Sequence, residues 1–126
     1  MTSRRIVVVE DNERNMKLFR EVLESSGYRT LEADTGERAV ALTAEHRPDL
    51  VLMDIHLPDI DGVEALRRLR ADERTASVPV LALTAQAMEG DRERFLAAGF
   101  DGYLSKPVNI ADLLDAVRRY CEGGRV

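Results

Sequence analysis

Three carboxylates, a hydroxyl and an ammonium stand at separated points of this chain: Glu10 and Asp11, Asp54, Thr84, and Lys106 just after Ser105. Brought together, the carboxylates repel one another unless a cation compensates them. A hard divalent ion such as Mg²⁺, taking oxygen ligands octahedrally, suits such a set. An ionised, accessible Asp54 is a nucleophile toward phosphorus and would form an aspartyl phosphate. Thr84 offers a hydroxyl to an oxygen whose charge or position changes, and Lys106 offers a mobile ammonium to a carboxylate or a phosphoryl oxygen. This chemistry asks for in-line positioning and charge neutralisation more than for acid–base help. Taken singly, each residue has an ordinary reading. Asp54 reads as a turn or cap, Glu10-Asp11 and Thr84 as helix caps, and Lys106 as a solvated loop charge. Only convergence makes them a site.

The pattern of elements supplies that convergence. Ile6-Val7-Val8-Val9 is an unbroken apolar run and reads as a strand buried on both faces, as in a parallel sheet. Asn12 is the expected N-cap of a helix carrying Met16, Phe19, Val22 and Leu23. Tyr28–Ala33 reads as a second strand, whose Arg29 and Glu32 suit an edge position. A helix around Ala39, Val40, Leu42 and Thr43 follows and ends near His46-Arg47-Pro48. Leu50–Met53 is the third strand, and the turn from Leu57 to Gly62 leads into a helix with Val63, Leu66 and Leu69. Pro79–Leu83 is the fourth strand, followed by a helix from about Ala87 to Ala98. Gly102–Ser105 is a short fifth strand. A last amphipathic helix carries Ile110, Leu113, Leu114 and Val117, and Glu122–Val126 is expected to fray.

The result is an α/β domain of (βα)₅ form, a five-stranded parallel sheet with helices on both faces. Open sheets of this kind bind ligands beyond the carboxyl ends of their strands. Glu10-Asp11, Asp54, Thr84 and Ser105-Lys106 each follow a strand at that one end.

Composition bounds the function classes. The 126 residues are one domain's worth, and folding at this size buries about two-thirds of the extended chain's surface. A core therefore needs no disulfide or structural metal, and the single Cys121 excludes a disulfide framework or Cys-rich metal site. Eighteen basic against twenty-three acidic residues give a net charge of −5, which speaks against direct nucleic-acid binding. No apolar run approaches the roughly 20 residues that cross a membrane. The start of the chain lacks a signal-peptide core, so a cytoplasmic location is expected. The chain contains no G-x-G-x-x-G, P-loop or G-x-S-x-G motif. His46 reads as a solvated residue at a helix end, and His56 as a residue at the pocket rim rather than part of a histidine metal site.

The segments Val7–Asn12, Leu52–Pro58, Asp61-Gly62, Leu83-Thr84-Ala85 and Ser105-Lys106-Pro107 strongly resemble the receiver domain of bacterial two-component response regulators. The resemblance runs from Arg4 to about Tyr120, inside one domain spanning residues 1–126. It implies a flavodoxin-like three-layer sandwich with strand order 2-1-3-4-5. It implies Asp54 as phosphoacceptor, with Thr84 and Lys106 acting on the phosphoryl group. Mg²⁺, with Mn²⁺ as a substitute, would be held by Glu10, Asp11, Asp54 and the backbone carbonyl of His56. Lys106-Pro107 would be a cis peptide. Thr84 and Tyr103 would form the switch.

A finer similarity is to the DivK-like group of stand-alone receivers, through Asp11–Phe19, Met53–Pro58 and Thr84–Met88. It implies a histidine kinase or histidine phosphotransfer partner docking near Asn12, Arg14, Asn15 and Lys17. A downstream protein target would dock near Ala87, Glu89, Phe100 and Tyr103. The expected activity is a phosphorelay switch that slowly hydrolyses its own aspartyl phosphate. The alternatives are a receiver cut from a hybrid kinase or multidomain regulator, a phosphorylation-independent docking module, or a small aspartate-nucleophile phosphohydrolase. Such a hydrolase commonly carries an Asp two residues after its nucleophile; here that residue is His56.

Overall fold

Alternation along the central strands sorts their side chains onto two faces and so dictates the layers. The computed structural model describes residues 4–85 and 90–123. Its strands are β1 (Arg5–Val9), β2 (Arg29–Ala33), β3 (Leu50–Asp54), β4 (Val80–Thr84) and β5 (Gly102–Ser105). They pair in parallel in the order β2-β1-β3-β4-β5, as expected. The helices are α1 (Glu13–Ser25), α2 (Gly36–His46), α3 (Gly62–Ala71), α4 (Asp91–Ala98) and α5 (Ile110–Arg118).

Ile6, Val8, Leu50, Leu52, Leu81 and Leu83 face one layer, formed with Met16, Phe19 and Leu23 of α1 and Leu113 and Val117 of α5. Val7, Val9, Val51, Met53, Val80 and Ala82 face the other, against Ala39 of α2, Ala65, Leu66 and Leu69 of α3 and Phe95 of α4. Each such large side chain stabilises by about 1.5–3 kcal/mol on full burial. Exposed ion pairs such as Arg20–Glu32 are screened by water and add little, so the two apolar layers hold the fold. Side-chain caps fix where helices leave the strand ends: Asn12 Oδ1 accepts from Asn15 N, Thr35 Oγ1 from Arg38 N, and Asp61 Oδ1 from Glu64 N.

The sequence expectations need several corrections. Asp54 and Thr84 are the last residues of their strands rather than the first beyond them, because a parallel ladder uses only the backbone: Asp54 pairs with Leu83 and Thr84 with Ser105, which ends β5 as expected. Val63 and Ile110, expected on core faces, are 40% and 50% exposed. Each stands in the first turn of its helix, and core contact begins later, at Ala65 and Leu113. The end of α5 does not fray at once. It continues as a π-helical turn, Arg119–Gly123, with Cys121 buried and the Tyr120 hydroxyl donating to Asp101 O at 2.9 Å. Ala87, where the fourth helix was expected to begin, lies outside the described residues.

The start of α3 is pressed against the end of β3. A Cβ on Gly62 would lie 2.6 Å from Asp54 O and 2.9 Å from Ile55 Cα, both backbone atoms that cannot turn aside. Gly62→Ala is therefore expected to destabilise the protein by about 1–3 kcal/mol through overpacking. That outweighs the roughly 1 kcal/mol alanine gains in helix propensity. Urea unfolding of the two proteins measures it; an unchanged midpoint would mean that α3 can retreat from the strand without loss.

Candidate functional site

The order β2-β1-β3 reverses the chain's direction of winding between β1 and β3. The helices α1 and α5 lie on one face of the sheet, and α2, α3 and α4 on the other. The crevice past the carboxyl ends of β1 and β3 is thus the topological switch point. Val9 is in register with Met53, so Glu10 arrives level with Asp54. Thr84 ends the neighbouring β4, and Lys106 follows β5 with its amide donating to Thr84 O at 2.7 Å. The Lys106–Pro107 peptide is cis, as expected.

Lys106 Nζ lies 2.6 Å from Glu10 Oε2 and 2.8 Å from Asp54 Oδ2. The second oxygen of each carboxylate accepts a backbone amide: Asn12 N reaches Glu10 Oε1 at 3.2 Å, and His56 N reaches Asp54 Oδ1 at 3.0 Å. The Glu10 and Asp54 side chains are nearly buried, at 1% and 6% exposure. Burial pushes the Glu10 pKa up, and the charge of Asp54 adds to that. The Lys106 and Asn12 contacts oppose the rise without cancelling it. Burial also works against the Lys106 ammonium, but its hydrogen bonds to Asp54 and Glu10 outweigh burial and hold its pKa above the ordinary lysine value.

Asp11 is exposed beside this pair, and Glu10, Asp11 and Asp54 each present one oxygen within 4.8 Å of the others. Three negative charges against one ammonium leave an excess of two. The donors are all oxygens, and each oxygen already holding one hydrogen bond retains acceptor capacity. That donor set fits a hard divalent cation such as Mg²⁺. Glu10 and Asp11 also line a cleft of about 510 Å³ with Glu13, Glu32, Asp34 and Arg38, which the sequence did not single out.

Thr84 is buried at the end of β4. Tyr103 is half-buried, with its ring centroid 6.1 Å from that of Phe95. Phe100, expected at an exposed docking face, is only 3% exposed. It packs edge-on against Phe95 at 5.9 Å and belongs to the core because Gly99 turns the chain inward after α4. Arg14 and Lys17 are exposed on α1, and Asn15 is half-buried. Asn12 is exposed as well, but its side-chain oxygen is engaged as the α1 cap. The His56 side chain is exposed and its amide is spent on Asp54. Ala87 and Glu89 lie outside the described residues.

Sequence reasoning missed Asp59, read there only as part of a turn. Its carboxylate accepts from Gly36 N and Glu37 N at 2.8 and 2.9 Å. The available signal was an acidic residue in the loop after β3, and nothing in its spacing points to α2.

Comparison with known proteins agrees with this geometry. A family model described as the response regulator receiver domain matches residues 6–118. The polar-differentiation response regulator DivK of Brucella anthropi is 45% identical over 115 residues, covering 91% of this chain and 94% of that protein. Among solved structures, the receiver domain of sensor histidine kinase PA1611 from Pseudomonas aeruginosa PAO1 superposes with a TM-score of 0.88 at 41% identity. It covers 95% of this chain and 98% of its own, and it carries a magnesium ion coordinated in its active site cleft. A Saccharomyces cerevisiae co-crystal of the histidine phosphotransfer protein Ypd1 with the receiver domain of its downstream response regulator Ssk1 matches with a TM-score of 0.87. There the identity is 28%, over 94% of this chain and 89% of that one.

Because Lys106 serves two buried carboxylates, its loss exposes their repulsion. Lys106→Met should lower stability at pH 7.5 without divalent ions by about 1–3 kcal/mol. Burial already holds the folded-state pKa of Glu10 above the ordinary glutamate value, and loss of the ammonium raises it further in the variant. The folded state then binds more protons than the unfolded one, so the deficit should shrink as the pH falls from 7.5 toward 4.5 and grow as it rises. Denaturant titrations at several pH values test this; a deficit independent of pH would contradict it.

Proposed function

The chain belongs to the response regulator receiver family as a DivK-like phosphorelay signalling domain, and from that premise we propose that Asp54 is its phosphoacceptor. The observation that carries the assignment is the placement of Asp54 at the switch point. One of its oxygens is held by the His56 amide and the other by the Lys106 ammonium. In the transfer, an Asp54 oxygen attacks phosphorus in line, the O–P bond forms, and the N–P bond of a partner phosphohistidine breaks. The electron pair of that bond returns to the imidazole nitrogen. Lys106 can then exchange an Asp54 oxygen for a phosphoryl oxygen while keeping Glu10, and Thr84 supplies the hydroxyl that meets the new group.

Glu10, Asp11, Asp54 and the His56 backbone carbonyl would hold Mg²⁺, with Mn²⁺ as a substitute. The bound ion supplies positive charge against the phosphoryl oxygens. The phosphoryl donor is a histidine kinase or histidine phosphotransfer protein, docking on Arg14, Asn15 and Lys17 beside the exposed Leu18 of α1. Output runs through Thr84 and Tyr103 to a protein target rather than to nucleic acid, and autodephosphorylation is slow. The whole of residues 1–126 is one receiver domain. Among the described residues no helix is long and apolar enough to cross a membrane, and a cytoplasmic location fits the donor and target classes.

Incubation with Mg²⁺ and a small phosphoryl donor, followed by intact-mass measurement under conditions that preserve acyl phosphates, tests the assignment. Wild type should carry one phosphoryl adduct and Asp54→Asn none. An adduct persisting on the variant would move the acceptor elsewhere. A wild type that takes no phosphoryl group from small donors or from a phosphohistidine donor would overturn the phosphoacceptor reading.

A further inference from the structure

The seven residues from Ile55 to Asp61 join the phosphoacceptor strand to α3, and their position fixes the His56 backbone over Asp54. The near end of this loop is tied locally. Ile55 N donates to Leu83 O at 3.1 Å, His56 N to Asp54 Oδ1 at 3.0 Å, and Gly62 N closes the loop on Ile55 O at 2.9 Å. The crest is tied to a different element. Asp59 spans to the first turn of α2, its Oδ1 accepting from Gly36 N at 2.8 Å and its Oδ2 from Glu37 N at 2.9 Å.

The first-turn amides of α2 are divided between two acceptors. Thr35, the N-cap, takes Arg38 N with its hydroxyl at 3.1 Å and Ala39 N with its carbonyl at 3.1 Å. Thr35 alone is thus an ordinary cap, and the two amides it leaves are taken by a carboxylate 22 and 23 residues further on. A negative charge there also meets the positive end of the helix dipole. The backbones are in close contact as well. A Cβ on Gly36 would stand 2.5 Å from Ile60 Cγ1 and 3.1 Å from Ile60 O, so the loop lies flush on the helix start only because residue 36 lacks a side chain.

We propose that Asp59 is a positioning residue for phosphoryl transfer: by latching the crest of the loop onto the N-terminus of α2, it sets the His56 backbone against Asp54. It thereby sets the affinity of the Glu10–Asp11–Asp54 cluster for a divalent cation. This rests on the assignment of that cluster above. Asp59 touches neither the cation nor the phosphoryl group; it acts through the loop. Its carboxylate is solvent-exposed, which limits each hydrogen bond's strength, so the expected effect is graded rather than all-or-none.

The test is a Mg²⁺ titration of the full chain followed by backbone amide chemical shifts, with thermal unfolding measured in parallel. Asp59→Ala should weaken Mg²⁺ binding about fivefold, and Asp59→Asn, which keeps one carbonyl acceptor, should recover part of the loss. Thr35→Ala removes a cap bond from the same helix without touching the loop. It should lower the unfolding temperature while keeping wild-type Mg²⁺ affinity. Wild-type affinity in Asp59→Ala, or an equal loss in Thr35→Ala, would overturn the proposal in favour of a purely structural cap. Were Asp59→Ala unable to fold, Gly36→Ala keeps the carboxylate but crowds Ile60 and should weaken Mg²⁺ binding relative to Thr35→Ala. Equal affinities in that pair would overturn the proposal. A wild type that binds no Mg²⁺ would overturn the cluster assignment and the latch together, whereas normal binding in wild type and Asp59→Ala alike overturns the latch alone.

Discussion

Everything at the carboxyl end of the sheet depends on one ammonium shared between two nearly buried carboxylates. Lys106 comes from 96 residues beyond Glu10 and 52 beyond Asp54, so the contact exists only when β1, β3 and β5 are all in place. Burying either carboxylate alone would cost several kcal/mol or force it to take up a proton. The lysine removes part of that cost and leaves an excess negative charge open on the side of Asp11. A site in this condition is already stable, yet it has one kind of ligand to gain. It favours a small dication beside Asp11.

The fold tolerates this charge because the rest of the sheet is so apolar. β3 and β4 are buried throughout, as are the last four residues of β1, and their two faces are filled by different helices. Core burial per residue exceeds the worth of any exposed ion pair. The unfavourable electrostatics can therefore be concentrated at the adjacent ends of β1 and β3 without threatening the domain. Parallel register does the aligning. Once Val9 pairs with Met53 and Asp54 with Leu83, the polar residues at the strand ends have no freedom to be anywhere else.

That is also why so much was legible in the sequence. Continuous runs such as Ile6–Val9 and Leu50–Met53 announce strands buried on both faces, and the polar residue ending each run marks the site. What was not legible falls into two physical kinds. Near helix starts, periodicity says which residues share a face but not where contact with the sheet begins, which misplaced Val63 and Ile110. Phe100 was misjudged because the turn at Gly99, not helical spacing, decides its direction. The second kind is side-chain reach across loops. Asp59 grips α2, and Arg70 gathers the carbonyls of Ala76, Val78 and Gly99 together with the Asp101 carboxylate. Long polar side chains find such partners only after the layers have packed, so no local pattern encodes them.

The same distribution of burial separates chemistry from readout. The acidic cluster lies against strands with almost no exposed surface, where displacement would open the core. β5 is the opposite case: an edge strand of four residues, none of them fully buried. Its entry is braced, since Arg70 and the amide of Val80 both hold the Asp101 carboxylate and the Tyr120 hydroxyl holds the Asp101 carbonyl. Beyond that brace, Tyr103 rests only partly buried against Phe95, while the strand's far end leads directly to Lys106. A change of charge at Asp54 thus pulls on a lysine at one end of a short, lightly buried strand whose other end is fixed. Motion is cheapest where burial is least. Along β5 Gly102, Tyr103 and Leu104 are half-buried and Ser105 is exposed, so the least costly place for it is the far end of the strand, between Tyr103 and the Lys106 ammonium that bonds Asp54.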